Sequence, residues 1–346
     1  MTKVDFLIVG QGLAGSALAM AMLRRGKKIL MVDRADPNAA SRVAAGLVTA
    51  LAGKGMNPAW RQAEYLPEAM AYYAALEECS GKKLFHAMPV LRLFADKKER
   101  EKFGRKQEEV SEWVGSAEPS IDLSMLYGEE GGFEMARGGR LDTKAYLGVV
   151  RDLLEAEGSY LQADFDPADL ELREDSVVWK DVEAERLILC QGYWGLDAGW
   201  LSQVQHRSAK GQMLTVRSEE LASDRIINRN GWMVPLGDGL WRTGATYEWD
   251  ELLSGVSAEG RAELEQKIRS LVKVDFEVLE HEAGVRPIVN RSQPIIGMHP
   301  ELERLGFFNG LGSKGVITAP SVAEHFAGFL CGENELDPEL DLNRVW

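Results

Sequence analysis

Phe6, Leu7, Ile8 and Val9 form a continuous apolar run, the pattern of a strand buried on both faces. Leu13, Ala17, Leu18, Ala21, Met22 and Leu23 then recur at helical spacing and stop before Gly26, which suits a helix end. A second run, Ile29 to Val32, completes a βαβ unit. Further on, Trp60, Ala63, Tyr65, Met70, Tyr73 and Leu76 give a broad apolar face and predict a helix over 57–78. Alternation predicts a half-exposed strand over 88–95, followed by a charged helix over 96–113. Asp142 is placed to cap a helix over 140–158 that carries Tyr146, Val149, Val150 and Leu153 at helical spacing. An extended stretch over 160–189 follows, then a hairpin over 230–247 turning at Gly237-Asp238-Gly239, and a helix over 257–273. A glycine loop then leads into an apolar helix, where Pro320 is expected to mark the first turn or a kink.

This order predicts an α/β protein with a Rossmann-like nucleotide-binding domain, discontinuous over 1–85, 135–203 and 285–346. An α+β substrate domain with an antiparallel sheet, over 86–134 and 204–284, interrupts it. A chain of 346 residues is long enough for two modest cores. The absence of any apolar run of membrane-spanning length, together with a strand that begins by residue 4, predicts a cytoplasmic protein with no signal peptide. Cys79, Cys190 and Cys331 are too sparse for a disulfide framework, and the five histidines show no metal-ligand spacing. A net charge of −14 opposes docking on a nucleic acid. The basic cluster from Lys97 to Lys106 alternates with acids and reads as a solvated helix face.

The chemistry starts at Gly10-x-Gly12-x-x-Gly15, set between the first strand and helix, with Asp33 at the end of the second strand. Gly10 permits the tight turn, Gly12 lets a pyrophosphate approach the backbone, and Gly15 lets the helix pack close to the strand. The amides of Leu13 and Ala14 open the helix toward the phosphates. Asp33 is positioned to accept hydrogen bonds from an adenosine ribose and would repel a 2′-phosphate, which disfavours NADP and leaves NAD or FAD.

Six stretches settle that choice by resemblance. They are the βαβ unit ending in Asp33-Arg34, "SRVAAGLV" from Ser41 to Val48, "GGRLDTKAYL", "LILCQGYW", "AGVRPIVNRSQPIIG" and "NGLGSKGVITAP". In this order they resemble the D-amino-acid-oxidase and glycine-oxidase family of FAD-dependent amine oxidoreductases, over nearly the whole chain. The resemblance implies FAD as cofactor. It places Ser41, Ala45, Gly46 and Leu47 under the flavin and Gly192 beside it. It also places the backbone of Gly312, Ser313, Lys314, Gly315 and Val316 where it stabilises charge developing at flavin N1 and O2. Arg286 matches the arginine that binds the substrate carboxylate, and a guanidinium is the planar fork that a carboxylate matches. Trp232 falls where the family has a pocket tyrosine, and Tyr247 follows the Gly-Ala-Thr of the hairpin.

The implied reaction is oxidation of a C–N bond in an amino acid or N-substituted glycine. A hydride passes to flavin N5 and an imine is released to hydrolyse, with oxygen or a quinone as electron acceptor. Three departures stand out: Cys190-Gln191 replaces the usual small pair, Ser292-Gln293 replaces Asp-Gly, and Ser313-Lys314 stands where glycine oxidases carry an arginine. The last, with Trp232, suggests a substrate other than glycine. "GLGSKG" also resembles the loop in the FAD half of the bifunctional enzyme that removes a carboxymethyl group from tRNA wobble uridine, although no methyltransferase half is expected from these 346 residues. A quinone-reducing dehydrogenase and a non-catalytic FAD-binding protein are the other readings.

Overall fold

The computed structural model describes residues 1–53, 55–197, 199–289 and 292–346. Thr2–Val9 lies at the centre of an eight-stranded sheet. It pairs in parallel with Ile29–Asp33 on one side and Val182–Leu189 on the other, with Val9 opposite both Val32 and Leu189. Tyr160–Gln162 extends the sheet beyond Ile29–Asp33. Val182–Leu189 changes partner along its length: its first half pairs with the antiparallel strand Val177–Trp179, its second half with the parallel strand Leu305–Asn309. The apolar runs are buried because helices cover them. Leu13–Arg24 and Gly315–Leu330 pack together on one face, with Ala17, Leu18, Met22, Ala319, Val322 and Phe326 in one core.

The second large sheet is mostly antiparallel and runs Glu277–Arg286, Ala209–Arg217, Leu240–Gly244, Trp232–Gly237, Ile226–Asn228, Val90–Leu93, Gly132–Met135 and Val114–Ser116. Ile226–Asn228 and Val90–Leu93 are its parallel pair. The predicted hairpin is here, with Gly237 opposite Leu240. Asp238 and Gly239 both take positive φ, the backbone that a two-residue primed turn requires.

Several boundaries differ from the sequence reading. The helix expected over 57–78 is Gln62–Ser80, because Asn57–Pro58 pair with Leu51–Ala52 and Arg61 takes left-handed φ. The charged helix ends at Lys106, and Ser111–Trp113 is a separate short turn that buries Trp113. The stretch over 160–189 is broken into four strands around a short 3₁₀ turn at Pro167–Asp169. The predicted Asp142 cap is present and accepts from the Ala145 amide at 3.0 Å; the structure adds a second cap, Ser257, which accepts from the Gly260 amide at 3.0 Å.

Pro320 lies in the second turn of Gly315–Leu330, not the first. A proline there leaves the carbonyl four residues back without a partner. That carbonyl, Val316 O, accepts instead from the buried Tyr73 hydroxyl at 2.7 Å. No described helix is long and apolar enough to cross a membrane.

Candidate functional site

One cavity of about 930 Å³ runs from the carboxyl end of the parallel sheet to the face of the antiparallel sheet. It begins at the fingerprint turn, where side chains are excluded by backbone contact. A Cβ on Gly10, at φ +102°, would lie 2.6 Å from the Cys190 carbonyl oxygen. On Gly15 it would lie 1.9 Å from the Gly10 carbonyl oxygen. Gly10, Gly12, Leu13 and Ala14 line the cavity. Gly15 does not, so its part is the packing of helix on strand and not contact with a ligand. Ser41 meets the turn from across the cavity, and its Oγ accepts from the Leu13 amide at 3.0 Å.

Asp33 is fixed by its neighbours. One carboxylate oxygen accepts from the Gln11 amide and the other from the Ala35 amide, both at 2.8 Å. A carboxylate oxygen has further acceptor capacity after one such bond, and Asp33 lines the cavity. Beside it, Arg34 pairs with Asp36 at 2.7 Å and lies over the Trp194 ring at 4.6 Å.

The middle of the cavity is bounded by Ala45, Gly46 and Leu47 from one side and by Gly192 from another. Gly46, at φ +66°, sits so close to Leu141 that a Cβ would meet its carbonyl oxygen at 1.8 Å. This contact lets the small-residue segment run flat along the cavity wall. Gly192, at φ +58°, has its carbonyl held by Asn309 at 2.8 Å. Gly312, Ser313, Lys314, Gly315 and Val316 close the far side, where the last helix begins. The first amides of a helix have no partner within it and carry partial positive charge. Burial lowers the Lys314 ammonium below the usual lysine range.

At the other end stand Trp232, Tyr247 and Arg286. Arg286 ends the strand Glu277–Arg286 and lies across its neighbour Ala209–Arg217. A Cβ on Gly211 would fall 2.1 Å from the guanidinium, so a side chain there would push Arg286 out of this position. Arg286 Nη1 donates to the Thr246 carbonyl at 3.3 Å, and the Tyr247 ring covers the guanidinium at 4.4 Å. Among the described residues Arg286 has no carboxylate partner. Burial lowers its affinity for the proton, and Tyr247 opposes that shift. Trp232 lies over Gly244, whose Cβ would meet the indole at 3.0 Å. Asn290 and Arg291 of the glycine-x-Arg-Pro stretch lie outside the described residues.

The structure thus brings every residue picked from the sequence except Gly15 to one cavity. Gly211, Met213, Leu252, Leu253, Gly255 and Val256, which also border it, were not found from the sequence. Gly211 left a faint signal, a glycine in the middle of an otherwise well-populated strand.

The glycine-bare turn, the fixed acid on the second strand and the long cavity ending at a helix start suit a bound dinucleotide, and FAD fits them. The chain belongs to the FAD dependent oxidoreductase (DAO) family, which matches residues 5–328, and is FAD-dependent. It is 23% identical to the uncharacterized oxidoreductase YurR of Bacillus subtilis, over 98% of this chain and 97% of that protein. It is 24% identical to the tRNA 5-methylaminomethyl-2-thiouridine biosynthesis bifunctional protein MnmC of Marinobacter nauticus, covering 94% of this chain but 55% of that one. Its fold is similar to that of iminodiacetate oxidase from Chelativorans sp. BNC1, with a TM-score of 0.84, 22% identity, and coverage of 99% and 98% of the two chains.

Proposed function

We propose that this protein oxidises the C–N bond of an amine that carries a carboxylate, an amino acid or an N-substituted glycine. The observation that carries the reading is Arg286: a half-buried guanidinium that lines the cavity, with no acidic partner among the described residues. Leaving a cation in that state is costly, and an anionic substrate relieves the cost with a bidentate pair. When bound, FAD supplies the two-electron acceptor for a hydride from the carbon next to nitrogen.

The chain's own residues bind and orient. Asp33 would hold the ribose, and the turn around Gly12, with the Ala14 amide and the Ser41 hydroxyl that the Leu13 amide positions, would hold the pyrophosphate. The segment Gly312 to Val316, where the last helix begins, would offer partial positive charge to the flavin, chiefly from the Ser313, Gly315 and Val316 amides, since those of Gly312 and Lys314 donate to the Pro287 and Leu311 carbonyls. Arg286 fixes the substrate carboxylate while Trp232 and Tyr247 limit how the rest of the substrate lies, which is orientation catalysis. The substrate loses a hydride from carbon and a proton from nitrogen. The resulting imine hydrolyses to a carbonyl compound and an amine or ammonia.

An anaerobic screen of amino acids and N-substituted glycines, followed by loss of the yellow flavin absorbance, tests the reading. Bleaching by a carboxylate-bearing amine supports it; a flavin that no such amine bleaches contradicts it. Hydrogen peroxide release in air then separates an oxidase from a dehydrogenase that uses a quinone.

A further inference from the structure

Between the hairpin and the helix Ala258–Leu271 the chain makes a loop, residues 245–257, with an unusual surface. Tyr247 is 49% exposed, Trp249 49%, Leu253 54% and Val256 46%. Single exposed apolar side chains are ordinary, but four large ones within ten residues are not. Their place is equally specific. Tyr247, Leu252, Leu253 and Val256 border the same cavity as Arg286, so the apolar surface continues from the carboxylate-binding end out to solvent.

The loop is pinned at both feet, not loose. At the first foot, Lys210 and Glu248 exchange backbone hydrogen bonds at 2.8 and 3.0 Å. The Glu248 carboxylate accepts from the Lys210 ammonium at 2.8 Å, the Thr246 hydroxyl at 2.6 Å and Gln212 Nε2 at 2.7 Å. At the second foot, Lys210 Nζ donates to Ser254 at 2.7 Å, and the Ser257 amide donates to Gln212 Oε1 at 2.9 Å. Both anchors come from the strand Ala209–Arg217, across which Arg286 lies. The apolar side chains are therefore held in fixed relation to the guanidinium.

We propose that this loop is the specificity wall of the site, and that the preferred substrates are carboxylate-bearing amines with a bulky apolar or aromatic group. The carboxylate pairs with Arg286, and the apolar group covers Leu253, Val256 and the open face of Tyr247. Both partners gain, because each removes apolar surface from water. A small substrate such as glycine reaches Arg286 but leaves the wall wet. The inference rests on the proposed carboxylate-amine chemistry and names which members of that class are favoured.

The test is anaerobic flavin reduction in the FAD-loaded protein, with kcat/KM measured on matched pairs: phenylalanine against alanine, and N-benzylglycine against sarcosine. The wild type should favour the larger member of at least one pair by about tenfold or more, the scale on which apolar pockets discriminate. In a Leu253→Asp/Val256→Asp double variant that preference should fall by about tenfold, with a smaller fall in Leu253→Ala/Val256→Ala. All four changes are at exposed positions, and an unaltered flavin spectrum verifies the site. A wild type that favours alanine and sarcosine, or a preference unchanged by the aspartates, would overturn the wall while leaving the carboxylate chemistry standing. If no carboxylate-bearing amine bleaches the flavin, the underlying reading fails and the wall falls with it.

Discussion

The Tyr247 ring lies 4.4 Å from the Arg286 guanidinium carbon, while the guanidinium donates to the carbonyl of the preceding residue, Thr246. Ring and cation hold each other in place at the cavity end. A cation over an aromatic face is worth about 0.5–2 kcal/mol. Tyr247→Ala should therefore raise KM for carboxylate substrates by roughly two- to thirtyfold, whereas Tyr247→Phe should stay near the wild-type value. Equal losses in the two variants would assign the role to the hydroxyl.

Asp33 gives a separate prediction at the opposite end. Each charge-assisted hydrogen bond to the ribose contributes about 1.5–3 kcal/mol. Asp33→Ala should weaken FAD binding by roughly tenfold or more, read from a titration of apoprotein by flavin fluorescence. An unchanged titration would show that the carboxylate serves only the Gln11 and Ala35 amides.

Tyr73 and Pro320 are coupled through one carbonyl. Tyr73→Phe leaves Val316 O buried without a donor, at a cost of about 1–3 kcal/mol, measurable by denaturant unfolding. Pro320→Ala supplies a backbone N–H to the same oxygen, so in that background Tyr73→Phe should cost clearly less. Equal costs in the two backgrounds would rule out the coupling.

Glu248 sets a pH dependence. Burial alone pushes its carboxyl up, but hydrogen bonds from Lys210, Thr246 and Gln212 outweigh burial and hold it below the ordinary 4.5. A folded value below the unfolded one stabilises the protein above the unfolded value, and that contribution is lost as pH falls through the folded value. Glu248→Gln should therefore be less stable than wild type at neutral pH, and the gap should close below about pH 4.5. A gap that persists undiminished into acid would mean that the carboxylate charge contributes nothing.

Much of this site was legible in the sequence because its parts are local. The fingerprint glycines, Asp33, the Ser41–Val48 segment and the last loop each declare themselves within a few residues. Arg286 was visible through its glycine and proline neighbours. Gly211 was not, because the group that occupies the space above it is a side chain 75 positions later, brought there through the register of two strands. The apolar loop was also missed: Leu253 and Val256 show no periodicity, and long-range contacts from Lys210 and Gln212 to Glu248, Ser254 and Ser257 place them at the cavity. The helix start near 57 failed for a comparable reason, since pairing with Leu51–Ala52 outweighed local pattern.

The most direct measurement of the central claim is anaerobic flavin reduction by wild type and Arg286→Ala, each with a carboxylate-bearing amine and its decarboxylated analogue. Breaking a buried charge pair costs about 3–5 kcal/mol. The variant should therefore lose roughly two to four orders of magnitude in kcat/KM toward the carboxylate substrate. It should lose little toward the analogue and keep its FAD. Arg286→Lys, which retains charge without the fork, should fall between the two. Equal losses toward both substrates, or full activity toward the carboxylate in Arg286→Ala, would contradict the assignment of Arg286 and with it the proposed substrate class.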